Sequence, residues 1–477
     1  MKILFAASEC IPFIKTGGLA DVVGTLAPIL KKEGADVRVM LPKYSAIPAG
    51  WKNKMEHVCH FHIALGWRSQ YCGIEKLEHE GVIYYFVDNE YYFARDYIYG
   101  SGNDEGERFS FFCRAVLESL PKLGFFPDIL HCNDWQTGMV PALLSLQYRE
   151  LPDYREIRTV FTIHNLRYQG IFPWGWINEM LSLGDVHFNS EELEYYGCVS
   201  FMKAGIRYAW RVSTVSPSYA DEIRSPEYGE RLDGLLRARG GDLWGILNGI
   251  DEAAYDPAAD PALTAHFSCQ DASGKLSCKA DLQRELSLEA NPKAPLIAMI
   301  TRLTEQKGLD LVKCVWDDIM ACDAQFVVLG LGEEDYVRFF EWQAQRYSGR
   351  VAARFMMDDA LARRIYAGAD LFLMPSRFEP CGLSQMIALR YGTVPLVRET
   401  GGLRDTVRPY NRYTGEGTGF SFANYNAHEM LYILRWAIEC YKDNEIWSGL
   451  VKRGMRCDFS WSASARDYLR MYASMMG

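Results

Sequence analysis

The sequence lacks the features that mark secreted, membrane and nucleic-acid-binding proteins. Its 13 cysteines are an odd number, scattered singly with no Cys-x-x-Cys pair in 477 residues, so we expect a reducing compartment and no disulfide framework. No apolar run approaches the length that spans a membrane, and the apolar start, residues 1–7, is too short for a signal peptide. Only 51 Lys and Arg stand against 61 Asp and Glu, which argues against nucleic acid and anionic membranes as partners. These absences predict a cytoplasmic protein.

What is present is an α/β pattern long enough for two domains. Hydrophobic residues make up 49% of the chain and charged residues 23%, as in ordinary globular proteins. Short apolar runs alternate with longer helical patterns, and because these runs are apolar on both faces they predict buried parallel strands in two doubly wound sheets. The runs are residues 37–41, 129–132, 159–163, 296–300, 326–329 and 371–374. An Asn-Gly turn at 248–249, followed by an Ala/Asp/Pro-rich stretch, predicts the domain boundary.

One short phrase, Thr-Gly-Gly-Leu-x-Asp-x-Val, occurs twice, as Thr16-Gly17-Gly18-Leu-Ala-Asp21-Val-Val and as Thr400-Gly401-Gly402-Leu-Arg-Asp-Thr-Val. Each copy follows a β-type run and precedes a helical pattern. Paired glycines let the backbone come close to a ligand, and the N–H groups at the start of a helix favour an anion such as phosphate. Two copies predict a ligand held between two similar halves. The alternative is a pair of unrelated tight turns.

Polar residues that follow the predicted strands form the candidate site, because ligands bind beyond the carboxyl ends of parallel strands. Arg302 and Lys307 are two cations just past a strand, suited to neutralise a diphosphate; the alternative is a solvated cationic turn. Glu379 lies in the turn Ser376-Arg-Phe-Glu-Pro-Cys-Gly-Leu and would accept sugar hydroxyls. The other residues of this set are Glu9, residues 131–134, His164, Asn165 and Asn248.

These motifs occur together and in order, and the chain closely resembles the glycogen/starch synthase family of ADP-glucose type. The resemblance rests on the motifs at residues 15–21, 164–170, 248–251, 302–310 and 377–383, and it extends to Asp458-Phe-Ser-Trp near the end. It implies a GT-B fold, with two Rossmann-like domains facing a deep cleft. The implied divisions are an acceptor-side domain (1–248), a nucleotide-sugar domain (249–457) and a C-terminal helix that packs on the first domain (458–477). The implied reaction moves glucose from ADP-glucose to the non-reducing end of an α-1,4-glucan, with retention and without metal or other cofactor.

The resemblance also implies a role for each site residue. His164, Arg302, Lys307 and Glu379 would be catalytic. The donor would be bound by Lys15, Thr16, Gly17, Gly18, Asp21, Asn248, Met357, Cys381, Gly382, Leu383, Thr400, Gly401 and Gly402, with the backbone amides of Thr400 and Gly401 completing a phosphate cradle. The glucan would be bound by Glu9, Tyr92, Asp134, Gln136 and Asn165. Tyr92, just past a strand end, would stack on sugar; its alternative is a core position.

Two positions depart from the family pattern. Gln136 stands where His is frequent, so it can hydrogen-bond a hydroxyl but carry no proton. Met357 stands where an aromatic residue is frequent, so it would hold adenine less specifically.

Retention by double displacement needs a second carboxylate. Some related GT-B transferases have a second glutamate eight residues after the first, but that position is Ile387 in this chain. The sequence therefore favours a front-face reaction in which the leaving phosphate takes the acceptor proton.

Other interpretations remain open at this point. A non-hydrolysing nucleotide-sugar epimerase can share the same architecture, since fold does not determine function. A catalytically silent glucan-binding protein is a second alternative, although it would need no diphosphate-binding cations. His57, Cys59, His60 and His62 suggest a metal cluster, but on a strand Cys59 would face away from His60 and His62. We therefore expect no metal site there.

Overall fold

The computed structural model describes residues 1–476, and the chain divides into two compact units. The first unit contains Met1–Ile246 together with the C-terminal segment that begins at Trp461. The second unit contains Leu247–Ser460. Each unit has a sheet of mainly parallel strands with helices packed against it, which is the doubly wound arrangement expected from the alternating pattern.

The first unit is built on a nine-stranded sheet and a small antiparallel sheet of three strands. Its strands are β1 (Lys2–Ala6), β2 (Asp36–Pro42), β3 (Glu56–Leu65), β4 (Arg68–His79), β5 (Val82–Asp88), β6 (Ile129–Asn133), β7 (Arg158–Ile163), β8 (Ile171–Pro173), β9 (Glu194–Tyr195), β10 (Cys198–Ser200), β11 (Arg211–Thr214) and β12 (Leu243–Gly245). The large sheet has the order β12-β11-β7-β6-β1-β2-β5-β4-β3. Only β4 runs opposite to its neighbours. The small sheet has the order β8-β10-β9.

The second unit has one fully parallel sheet of six strands. They are β13 (Leu296–Ile300), β14 (Gln325–Leu329), β15 (Val351–Arg354), β16 (Leu371–Met374), β17 (Val394–Arg398) and β18 (Phe420–Phe422). The order is β15-β14-β13-β16-β17-β18. All six strands predicted from apolar runs are therefore present across the two units, each bound within one residue of its prediction.

Nineteen helices connect and cover these strands in residues 1–476. They are α1 (Gly18–Lys32), α2 (Ala49–Lys52), α3 (Glu90–Phe93), α4 (Asp104–Leu123), α5 (Met139–Leu143), α6 (Trp174–Leu181), α7 (Phe201–Tyr208), α8 (Pro217–Glu222), α9 (Asp233–Ala238), α10 (Gly274–Glu285), α11 (Leu309–Cys314), α12 (Trp316–Met320), α13 (Glu334–Arg346), α14 (Asp359–Gly368), α15 (Ser384–Arg390), α16 (Gly401–Thr406), α17 (Ala427–Tyr441), α18 (Asn444–Met455) and α19 (Trp461–Met476). In this range no helix is both long and apolar enough to cross a membrane.

Strand order explains where each unit can bind a ligand. In the first sheet, β1 pairs with β2 on one side and with β6 on the other. In the second sheet, β13 lies in the same way between β14 and β16. The connections leave in opposite directions at these two points, so a crevice opens beyond the carboxyl ends of the paired strands. The residues that follow β1 and β6 in the first unit, and those that follow β13 and β16 in the second, are therefore the candidate ligand-binding residues of each unit.

The C-terminal helix α19 belongs to the first unit and packs against α1. The Tyr472 hydroxyl on α19 lies 2.6 Å from His131 Nδ1 at the centre of the large sheet. Burial lowers the pKa of His131 to about 3, so this imidazole is neutral at physiological pH. His131 is thus a buried polar link between the helix and the sheet.

Candidate active site

In the second unit, a buried ion pair joins the two motifs that follow β13 and β16. Lys307 closes a 3₁₀ turn, Glu305–Lys307, before α11. Its Nζ lies 2.6 Å from Glu379 Oε2, and the two side chains are only 14% and 9% exposed. Ser376 Oγ donates to the same carboxylate oxygen at 3.0 Å. A desolvated, doubly hydrogen-bonded carboxylate of this kind is held in one orientation.

Backbone contacts bring the two motifs together. The Arg377 N–H donates to the Gln306 carbonyl at 2.9 Å, and Gln306 Nε2 donates to the Phe378 carbonyl at 3.3 Å. Gly308 has φ +71°, and a Cβ added there would lie 2.0 Å from the Pro375 carbonyl oxygen. Only glycine can occupy this position without moving the backbone. The glycine directly after Lys307 therefore lets the two motifs pack closely enough for Lys307 to reach Glu379.

Arg302 differs from Lys307 in that its charge is uncompensated. It is exposed and forms no ion pair with any residue in the described range 1–476. It borders a cavity of ≈ 190 Å³ beyond β13 and β16. The polar residues of the cavity wall are Thr301, Arg302, Lys307, Ser376 and Ser384. An unpaired guanidinium beside an ammonium makes this cavity suited to an anion with several oxygens.

The second glycine loop packs against the turn that contains Glu379. Gly401 has φ +44°, and a Cβ there would lie 2.0 Å from the Glu379 carbonyl oxygen. The Gly402 N–H donates to that oxygen at 3.2 Å. The Thr400 N–H donates to the Arg398 carbonyl at 2.9 Å. The Thr400 amide is thus bonded within its own turn, and the two glycines allow close backbone packing against the turn that contains Glu379. The phosphate cradle stays a prediction.

The other residues of the second unit that were predicted to bind the donor differ in their exposure. Burial raises the pKa of the Cys381 thiol to about 12, and the backbone N–H of Asn248 hydrogen-bonds to this sulfur. The thiol is therefore neutral and is no nucleophile. Gly382 has φ +72°, and Leu383 follows it as the N-cap of α15. Met357 is 86% exposed beyond β15.

In the first unit, the first glycine loop closes on a carboxylate of its own. Glu9 follows β1 and is 4% exposed. Its Oε2 accepts from the Thr16 N–H, from Thr16 Oγ1 at 2.9 Å and from the Gly17 N–H at 3.3 Å. Burial raises the pKa of Glu9, and these hydrogen bonds oppose that shift. The amides that we expected to face a phosphate are thus satisfied by Glu9.

The Lys15 side chain projects from the same loop. Its Nζ lies 2.7 Å from Asp21 Oδ1, and the lysine side chain is 51% exposed. Burial raises the pKa of Asp21 while the Lys15 charge lowers it. An exposed pair of this kind contributes little to stability, so Lys15 can exchange this partner for another anion at small cost. Gly18 opens α1, and a Cβ there would meet nothing within 4 Å.

A second cluster of the first unit lies beyond β6 and β7. Asp134 has φ +56°, and its Oδ1 accepts from the His164 N–H at 2.8 Å and the Asn165 N–H at 3.5 Å. Burial raises the pKa of Asp134 to about 7, with Glu9 adding to the effect. Burial lowers the pKa of His164 to about 3, so the ring is neutral at physiological pH. Its Nε2 lies 2.9 Å from Asn133 Oδ1, and the Asn133 amide nitrogen donates to carbonyls. The His164 proton is therefore on Nε2, which leaves Nδ1 as an acceptor.

Besides Glu9, two further residues predicted to bind glucan are buried. The prediction for Tyr92 is wrong: its ring is 1% exposed and its hydroxyl donates to Glu107 Oε1 at 2.7 Å, so it cannot stack on a sugar. The run of aromatic residues continues from β5 into α3, and that helix turns Tyr92 into the core. Gln136 is 6% exposed in a turn after β6. Its Oε1 is buried and has no hydrogen-bond partner in residues 1–476.

The sequence interpretation missed Tyr99. Its hydroxyl donates to Glu9 Oε1 at 3.2 Å and lies 2.7 Å from Ser8 Oγ. Nothing in the local sequence marks this tyrosine among its aromatic neighbours, and only tertiary contact identifies it.

In the described residues, no group of three or more His, Cys, Asp or Glu side chains is arranged to hold a metal ion.

Comparison with known proteins agrees over the whole chain. Residues 2–238 match the family model described as starch synthase catalytic domain, and residues 284–449 match glycosyl transferases group 1. The chain is 56% identical over 476 residues to the glycogen synthase of Geobacillus thermodenitrificans, covering 100% of this chain and 98% of the relative. It is 49% identical over 476 residues to the glycogen synthase of Clostridium kluyveri, covering 100% of both.

Solved structures support the same assignment. The catalytic domain of Starch Synthase IV from Arabidopsis thaliana, bound to ADP and acarbose, has a TM-score of 0.91 at 35% identity and covers 99% of each chain. Sucrose-phosphate synthase from Thermosynechococcus elongatus has a TM-score of 0.63 at 18% identity, covering 100% of this chain and 99% of its own, and shares the fold. The fold is therefore GT-B, with two Rossmann-like domains, and neither the epimerase nor the silent-binder alternative is supported. The chain belongs to the glycogen/starch synthase family of glycosyltransferases, the enzymes that build glycogen and starch.

Proposed function

We propose that this enzyme transfers glucose from ADP-glucose to the non-reducing end of an α-1,4-glucan, with retention at the anomeric carbon. The observation that carries the proposal is the cavity beside β13 and β16, where Arg302 is an unpaired cation and Lys307 is oriented by Glu379. A nucleotide diphosphate leaves with growing negative charge, and preorganised cations stabilise that charge without reorganisation. The full-length similarity to glycogen synthases supports the glucan as acceptor.

In this proposal Arg302 and Lys307 bind the diphosphate of the donor and stabilise the departing ADP. Arg302 contributes two parallel N–H donors and Lys307 a compact charge. Because Arg302 and Lys307 supply the hydrogen-bond donors for the leaving group, the proposal includes no metal ion. We expect the rate to be unchanged by excess EDTA.

The Glu379 carboxylate binds glucose hydroxyls rather than attacking the anomeric carbon. Its Oε2 is engaged by Lys307 and Ser376, which lowers its nucleophilicity and leaves Oε1 to accept from the sugar. Ile387, eight residues further, is 6% exposed in α15 and offers no second carboxylate. A front-face reaction, in which the leaving phosphate oxygen takes the acceptor proton, needs only one carboxylate. A glycosyl-enzyme ester trapped on Glu379 and detected by mass spectrometry would contradict it.

In the first unit, His164 and Asp134 contribute to sugar binding. Because the His164 ring is neutral, its Nδ1 accepts a hydrogen bond from a glucose hydroxyl and does not act as a general acid. Asp134, whose pKa burial raises to about 7, orients His164 by accepting from its backbone N–H. Lys15 approaches the donor phosphates from its exposed position on the first glycine loop.

The test is donor competition with glycogen as acceptor. Purified enzyme is incubated with ADP-glucose and UDP-glucose in a single mixture, and the release of ADP and UDP is followed together with incorporation of glucose into glycogen. We expect ADP release in a one-to-one ratio with incorporated glucose. Equal use of both donors would overturn the donor assignment, and nucleotide release without glucan growth would overturn the transferase assignment. NMR of the products distinguishes α-1,4 extension from sugar isomerisation.

A further inference from the structure

Glu9 occupies the anion-binding end of the first glycine loop. The Thr16 and Gly17 amides, where α1 begins, both donate to Glu9 Oε2. Backbone amides at the start of a helix favour a phosphate when they are free. Here the Glu9 carboxylate is already bound to them, and its negative charge repels a phosphate. The donor phosphates are therefore left to the Lys15 side chain, and the loop has a defined shape before any donor binds.

The second oxygen of Glu9 is oriented by Tyr99. The Tyr99 hydroxyl donates to Glu9 Oε1 at 3.2 Å and shares a 2.7 Å hydrogen bond with Ser8 Oγ, a residue that is 0% exposed. With both oxygens engaged, Glu9 cannot rotate away from the loop. A carboxylate that is 4% exposed and fully hydrogen-bonded is also poorly placed to accept from a glucan.

Tyr99 is itself anchored to the core of the first unit. Arg108 on α4 is 0% exposed. Its guanidinium donates to the carbonyls of Tyr92 and Ile98 and to Glu105 Oε1, so the backbone next to Tyr99 is tied to a long buried helix. Hydrogen bonds and the peptide bond between Ile98 and Tyr99 thus connect α4 through Tyr99 and Glu9 to the loop that contains Lys15.

We propose that Tyr99 is a positioning residue for the reaction: it holds Glu9 against the Thr16 and Gly17 amides and thereby sets the position of Lys15. This replaces the expectation that Glu9 binds glucan. It rests on the proposed function only in that Lys15 approaches the donor. The path itself consists of contacts within one unit.

The experiment compares Tyr99→Phe with Tyr97→Phe. Both variants remove one hydroxyl and keep the ring. Tyr97 lies two residues away on the same segment and is 46% exposed, and its hydroxyl accepts a hydrogen bond from Arg95. Melting temperature, kinetic constants for donor and glucan, and hydrogen exchange of the peptide that contains Thr16 and Gly17 are measured for both variants and for the unaltered enzyme.

We expect Tyr99→Phe to lower kcat/KM for the donor about tenfold, the effect of losing one hydrogen bond to a charged group. The KM for glucan stays unchanged, and the melting temperature stays close to that of the unaltered enzyme. Exchange at the Thr16 and Gly17 amides becomes faster. Tyr97→Phe changes none of these quantities.

The pH profile adds a readout that a purely structural role would not move. The Tyr99 hydrogen bond lowers the pKa of Glu9, so its loss raises that pKa further and shifts the acid limb of kcat/KM to higher pH. The titratable groups whose charges interact with Glu9 are Cys10, Tyr44, Tyr99 and Asp134, and Tyr99→Phe removes only one of them.

Several outcomes would overturn the inference. One is unchanged exchange at the loop in Tyr99→Phe. Another is a raised KM for glucan with unchanged donor kinetics, which would return Glu9 to the acceptor. A third is the same loss in Tyr97→Phe. Failure of the proposed function would give a different result, because the unaltered enzyme would then not transfer glucose. Hydrogen exchange at Thr16 and Gly17 would still test whether Tyr99 holds the loop, since that measurement does not depend on catalysis.

Discussion

Arg302 and Glu379 lie at the same cavity, yet the structure predicts that their removal has different consequences. Arg302 is exposed and has no ion-pair partner in residues 1–476. Its replacement by alanine should change the free energy of unfolding by no more than about 0.5 kcal/mol, as for other exposed positions. If it stabilises the leaving diphosphate, the same replacement should lower kcat by about 10²- to 10³-fold. Arg302→Ala should therefore separate activity from stability.

Glu379→Ala should not separate them. The Lys307–Glu379 pair is 14% and 9% exposed, and removing one partner of a fully buried pair costs about 3–5 kcal/mol. Lys307 borders the cavity and water can reach it, so we expect a smaller cost, about 2 kcal/mol. Both kcat and the free energy of unfolding should fall. A residue that only lines a cleft would lose turnover without losing stability, whereas the burial of Glu379 predicts the loss of both.

The assay is urea unfolding followed by fluorescence, in parallel with initial rates of ADP release at saturating donor and glycogen. Arg412→Ala is the matched control, since Arg412 is also an exposed arginine of the second unit and lies against Tyr413. We expect Arg412→Ala to keep both the free energy of unfolding and the rate of ADP release of the unaltered enzyme. Arg302→Lys keeps the charge and loses the planar fork, and it should recover part of the rate. The reasoning is refuted if Arg302→Ala keeps kcat within about threefold of the unaltered enzyme, or if it unfolds as readily as Glu379→Ala.

Two further predictions concern Asp134 of the first unit and the second glycine loop. Because the pKa of Asp134 in the folded protein is about 7, above its ordinary value of 3.8, its ionisation destabilises the fold progressively as pH rises from about 4 to about 7. Asp134→Asn keeps the acceptor for the His164 N–H, so urea unfolding at pH 8 should show it more stable than the unaltered enzyme by on the order of 2 kcal/mol. That difference should shrink toward pH 4, and a pH-independent difference would contradict the assigned cause. Gly401→Ala should cost about 2–4 kcal/mol of unfolding free energy and most activity, since its Cβ would meet the Glu379 carbonyl at 2.0 Å. Gly241→Ala, where a Cβ meets nothing within 4 Å, should be tolerated, and a melting temperature lowered equally in both would count against the steric reason.

Much of the scaffold could be predicted because it depends on local pattern. The buried strands were visible as apolar runs, and β13 (Leu296–Ile300) and β16 (Leu371–Met374) have the bounds that the runs predicted. Parallel strands end at a common edge, so the residues beyond those ends are candidate site residues whatever the rest of the chain does. The family was recognisable for the same reason, since its motifs follow the strands in order.

The partners of the site side chains were not predictable in this way. The sequence indicated that the amides before α1 would face a phosphate, whereas the fold supplies Glu9, seven residues from Thr16, as their anion. Tyr92 and Tyr99 look alike in the sequence, yet one is buried against Glu107 and the other orients Glu9.

The sequence by itself determined the α/β class, six of the buried strands, the cationic motif and the family, because strand formation and motif spacing depend on residues close together in the chain. Only the tertiary structure decided which charges are compensated. Lys307 is paired with Glu379 across 72 residues, and Tyr99 reaches Glu9 across 90. Such pairings depend on strand order and on the path of the loops, and both are set by the whole chain. The pKa of an ionisable group then depends on its neighbours and on its burial in the folded protein.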